Sequence, residues 1–73
     1  MWKRTIKIKE VAQVIRTRTV TIDMDDDFKY PKYDLDEGDE AQLNHITRLV
    51  REQACDENYM TEQVLTAEFL EDE

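Results

Sequence analysis

Residues 2–24 read WKRTIKIKEVAQVIRTRTVTIDM, and the rhythm of this stretch decides the fold. From Trp2 to Lys9 the residues alternate, with Trp2, Ile6 and Ile8 on one side and Lys3, Thr5, Lys7 and Lys9 on the other. That is the period of a half-buried strand. Arg16 to Met24 repeats the pattern, setting Val20, Ile22 and Met24 against Thr17, Thr19 and Thr21. β-Branched residues dominate both runs and suit a pleated surface. The connection within Val11 to Ile15 holds no Gly, Asn or Asp, so turn chemistry leaves the register open. An antiparallel hairpin over 2–24 is predicted.

Downstream of the hairpin the character changes. Residues 25–38 read as an acidic loop: Asp25, Asp26 and Asp27 repel one another, and Pro31 forbids pairing in a central strand. Tyr30 and Tyr33 flank Pro31-Lys32 and are placed to pin the loop to the body. A helix is predicted over 39–55. Gly38-Asp39 supplies a break and an N-cap, with Gln42 three residues on as in a capping box. Leu43, Ile46, Leu49, Val50 and Ala54 form one apolar stripe, and His45, Arg48 and Glu52 fall on the opposite face. Residues 62–70 alternate and are predicted as a third strand, a helix capped by Thr61 being the competing reading. The expected architecture is a single α+β domain over 1–73: a small antiparallel three-stranded sheet packed on one helix, in the order β-β-α-β.

Charge is distributed unevenly along this frame. Residues 1–22 carry six bases and one acid, whereas the remainder carries four bases and seventeen acids, for a net charge of −8. Asp23 to Glu40 alone holds nine acids against Lys29 and Lys32. Such a chain is repelled at long range by nucleic acid and anionic membrane and attracted to basic partners. The longest uninterrupted apolar runs are two residues, such as Val14-Ile15, which argues against a membrane span or a signal-peptide core. With one cysteine, Cys55, no intrachain disulfide is possible, and a cytoplasmic location is expected.

The opening Ile6-Lys7-Ile8-Lys9-Glu10, the later Thr19-Val20-Thr21-Ile22, the single acid-started helix and the closing Glu68-Phe69-Leu70-Glu71 resemble small β-β-α-β proteins carried by phages and mobile elements, the DpnD/PcfM-like proteins. The resemblance spans most of the chain, although the acidic loop from Asp23 to Glu40 is longer than that pattern. It implies the β-β-α-β fold and a mobile-element setting, and brings no catalytic residues.

Residues suited to catalysis are few. The chain has no serine; Cys55 stands beside Asp56 and Glu57 at a helix C-terminus, surroundings that disfavour a thiolate, and reads as a small buried or half-buried thiol. His45, the only imidazole, reads as an exposed surface residue. Asp34-x-Asp36-x-Gly38-Asp39 is similar to the start of a calcium loop, but its glycine is fifth rather than sixth and His45 stands where a bidentate Glu is needed. No metal, no cofactor and no enzymatic activity are expected.

Three functions follow. The first is a non-enzymatic inhibitor or accessory protein that docks on a basic nucleic-acid-binding protein of the host, as nucleic-acid mimics of the anti-restriction and anti-CRISPR class do. Its contact set would be Asp25, Asp26, Asp27, Tyr30, Tyr33, Asp34, Asp36, Glu37, Asp39 and Glu40. The second is self-association, a homodimer in which Val11, Val64 and Leu70 form a seam on the open sheet face. The third is a basic β-ribbon, Lys3, Lys7 and Lys9 meeting phosphates directly; the acidic remainder opposes it. The first is preferred.

Overall fold

The computed structural model describes residues 2–24 and 34–70, and of Trp2 the backbone alone. Four elements follow in the order expected: β1 (Trp2–Ala12), β2 (Val14–Met24), α1 (Glu40–Gln53) and β3 (Gln63–Phe69). The sheet is antiparallel, in the order β2-β1-β3, so β1 is central and β2 and β3 are the edges. The C-terminal alternation is therefore a strand, and the competing helix is not formed.

The hairpin occupies 2–24, and its turn, left open within Val11 to Ile15 by the sequence, narrows to a single residue. Pairing runs from Trp2↔Met24 to Ala12↔Val14, leaving Gln13 alone at the turn with a φ of 75°. That left-handed region usually takes a Gly, Asn or Asp; here Gln holds it, so the turn carries no sequence signal.

One face of the sheet carries the core. Ile6 and Ile8 of β1, Val20, Ile22 and Met24 of β2, and Val64 and Ala67 of β3 pack beneath Leu43, Ile46, Leu49 and Val50 of α1. The apolar stripe of the helix is as expected, with Ala54 packed at its end. The capping box is not. Asp39 is the N-cap residue but makes no side-chain cap bond; its Oδ2 instead accepts the Asp36 N–H at 3.1 Å.

β3 departs from simple alternation. Lys9 pairs with Thr66 but Glu10 with Val64, so Leu65 has no counterpart on β1 and the strand is bulged there. The bulge turns Val64 into the core, where it is fully buried. This corrects the expected seam of Val11, Val64 and Leu70, because Val64 is unavailable to a partner.

Candidate acidic docking face

Alternation also places Glu10, Arg16 and Arg18 on the core-facing side of the hairpin, at its turn end. Glu10 is completely buried. The Arg18 Nε–H donates to both of its carboxylate oxygens at 3.0 Å, and Arg16 donates to Oε1 from Nε at 3.3 Å and Nη2 at 3.2 Å. The Thr61 hydroxyl adds a bond at 3.1 Å. Arg18 continues to the Ala54 carbonyl at 2.9 Å, and Arg16 to Asp56 at 2.8 Å while stacking over Tyr59. Hairpin, helix end and the approach to β3 are thus tied at one charged knot. Within it, the Asn58 N–H and then Arg16 hold the Asp56 carboxyl below its ordinary value, and Asp56 in turn raises Arg16.

This knot changes the outward charge. Arg16 and Arg18 contributed to the basic count of the hairpin, yet both are turned inward. Arg4 lies over the Phe69 ring. Lys3, Lys7 and Lys9 remain on the open sheet face, exposed. There Lys3 stands opposite Asp23 in the register and Lys7 opposite Glu68, so acids border two of the three lysines.

Five of the acidic residues, Asp34, Asp36, Glu37, Asp39 and Glu40, lie at the other end of the helix. Leu35 is buried and forms an isolated bridge with Ala67, its N–H donating to the Ala67 carbonyl at 2.8 Å and its carbonyl accepting at 3.1 Å. That bridge anchors the incoming chain to the outer edge of β3, and Asp34 Oδ1 caps the next outward N–H, that of Phe69, at 2.9 Å. A turn follows in which Asp36 Oδ1 accepts the Gly38 N–H at 2.9 Å. A Cβ on Gly38 would meet that oxygen at 3.2 Å, so the tight turn suits the single glycine.

Asp34, Asp36, Glu37 and Glu40 are exposed and Asp39 is half-buried. Among the described residues, ion pairs join Arg16 and Arg18 to Glu10 and Asp56, and none reaches these five carboxylates. Glu37 and Glu40 stand at an open depression of about 510 Å³ floored by Leu43, Val64 and Leu65, with Asn44 and Gln63 bonded to each other at 3.0 Å on its wall. Five of the ten expected contact residues are thereby brought to one end of the fold. Asp25, Asp26, Asp27, Tyr30 and Tyr33 lie outside the described residues.

Two sequence readings are corrected. Cys55 is exposed rather than buried or half-buried. His45 is half-buried rather than exposed, its Nδ1 lying 3.1 Å from Arg48. Among the described residues no three Asp, Glu, His or Cys side chains converge as metal ligands, and no helix is long and apolar enough to cross a membrane. Comparison with protein-family models, curated protein sequences and solved structures finds no match to this chain.

Proposed function

We propose that this protein is a non-enzymatic inhibitor or accessory protein that binds a basic nucleic-acid-binding protein through its acidic end, standing where a nucleic-acid phosphate path would lie. The observation that supports it is the division of charge. Arg16 and Arg18 of the hairpin are ion-paired inside the molecule, while Asp34, Asp36, Glu37, Asp39 and Glu40 are clustered without a paired cation among the described residues. Gathering like charges on a small fold costs self-repulsion, and a basic partner relieves it. Asp25, Asp26 and Asp27 extend the acidic set along the same connection, and Tyr30 and Tyr33 add aromatic anchors. Action in the cytoplasm on a host protein, from a phage or mobile element, is the setting that fits this reading and the resemblance noted above.

The test is a pull-down from nuclease-treated lysate with two baits, the native chain and Asp36→Asn/Glu37→Gln/Asp39→Asn/Glu40→Gln. Asn and Gln keep the acceptor oxygens of the turn and remove the charge. The reading requires a basic nucleic-acid-binding protein held by the native bait, released at high salt and lost from the neutralised one. Equal capture by both baits defeats it.

A further inference from the structure

We infer that the outer edge of β2 is a self-association surface at which a second copy of this chain adds its own β2, antiparallel, to make one continuous six-stranded sheet. The two edges of the sheet are treated differently. On β3 several outward groups are occupied: Leu35 pairs with Ala67, Asp34 caps Phe69, and the Thr47 hydroxyl accepts the Val64 N–H at 2.9 Å. On β2 one residue is closed off. The Gln53 side chain clamps the Asp23 backbone, its Oε1 accepting the N–H at 2.6 Å and its Nε2 donating to the carbonyl at 2.9 Å.

That clamp also fixes which way the strand's backbone groups face. Asp23 points its N–H and C=O away from β1, and groups in an antiparallel ladder alternate, so Thr21, Thr19, Thr17 and Ile15 point outward too. Among the described residues none of these four has a backbone partner beyond β1. Protected edges carry Pro, bulges or charged side chains. The segment from Ile15 to Thr21 has no Pro and no bulge, and its two charged side chains, Arg16 and Arg18, are engaged by Glu10 and Asp56 rather than standing guard along the edge.

A second copy fits this edge for three reasons. The four free residues are symmetric about Arg18, so a two-fold axis there sets Thr17 opposite the partner's Thr19 and Ile15 opposite the partner's Thr21, with all four outward residues of each copy paired. The side chains brought together on the open face are β-branched and uncharged, whereas each copy has a net charge of −8 concentrated elsewhere. Val14 and Ile15, 53% and 64% exposed, come under cover at the ends of the new seam. Arg18 meets its own copy across the axis, but each guanidinium is already turned to Glu10, Ala54 and Thr61. Gln53 closes registers that would extend pairing to Asp23.

The experiment is light scattering across a dilution series under reducing conditions, which keep Cys55 out of the result, on the native chain, Thr19→Pro and Thr17→Lys/Thr19→Lys. Proline removes an N–H that β1 does not use and that edge strands can spare. The inference requires a native dimer whose amides at Thr17, Thr19 and Thr21 exchange slowly with solvent deuterium. Thr19→Pro should weaken the dimer at least about tenfold, through two lost ladder bonds. Added salt should strengthen native association by screening like-charged copies, the opposite of its effect on an acid–base interface. A native chain that stays monomeric throughout, or a dimer that survives in the folded lysine variant, overturns the inference. The lysine variant also decides the case if Thr19→Pro does not fold.

Discussion

A single guanidinium N–H, Arg18 Nε–H, is shared equally between the two carboxylate oxygens of Glu10, at 3.0 Å each, although Glu10 has no exposed surface. A buried carboxylate is held so because its charge costs several kcal/mol to desolvate and is offset only by close cations and further hydrogen bonds. Arg16, Arg18 and Thr61 supply both. The knot then acts as a register pin, because sliding either strand by one residue would turn a charged side chain to the wrong face.

Removing one member should therefore cost more than removing the pair. Glu10→Gln leaves two arginines facing a neutral amide and is expected to destabilise by about 3 kcal/mol. Glu10→Leu combined with Arg18→Met should lose much less than the sum of the single changes. A urea-denaturation double-mutant cycle reads the difference; additive losses would mean that the two side chains are not coupled.

Acid should loosen the same corner through Asp56. Its carboxyl is held below the ordinary aspartate value of 3.8 by the Asn58 N–H first and Arg16 second. A depressed carboxyl contributes stability that is present above its unfolded value and lost as pH falls through the folded one. Melting temperature is thus expected to decline as pH falls below 3.8. Asp56→Asn should lower stability near neutrality and flatten that decline, and identical acid limbs in the two proteins would remove Asp56 from the cause.

Thr47 occupies a core position on the helix by making two bonds, donating to the Leu43 carbonyl at 2.7 Å and accepting the Val64 N–H at 2.9 Å. Thr47→Val keeps the shape and orphans a buried N–H at the start of the bulge, for an expected loss of about 1–3 kcal/mol. Calorimetry should show that loss, with the Val64 amide exchanging faster.

Gln13 holds the hairpin turn at a φ of 75°. The left-handed region costs an ordinary side chain about 1–2 kcal/mol, and a β-branched one more. Stability should rank Gln13→Gly at or above the native chain and Gln13→Val below it, in thermal melts of the three proteins.

Much of the fold could be read from side-chain rhythm. The alternations of β1 and β2 and the stripe Leu43, Ile46, Leu49, Val50 report burial directly, because each records one face meeting the core. Relationships between distant residues left weaker marks. Glu10 follows Ile8 in the buried phase of β1, yet a lone acid there reads as a strand end until Arg16 and Arg18 are seen opposite it. The Leu65 bulge has no composition signal, so alternation alone puts Val64 on the wrong face. The clustering of Asp34, Asp36, Glu37, Asp39 and Glu40 is legible as density of charge, but its anchoring through Leu35 and Ala67 is a long-range bridge that spacing does not encode.

The most direct measurement of the docking account is competition on the captured partner. A labelled nucleic-acid duplex bound to that partner is titrated with the native chain and with Asp36→Asn/Glu37→Gln/Asp39→Asn/Glu40→Gln, and fluorescence anisotropy reports the duplex. Full displacement by the native chain, weakened by salt and absent with the neutralised variant, is the result expected of a protein that stands in the phosphate path. A ternary complex in which duplex and native chain are bound together would contradict it.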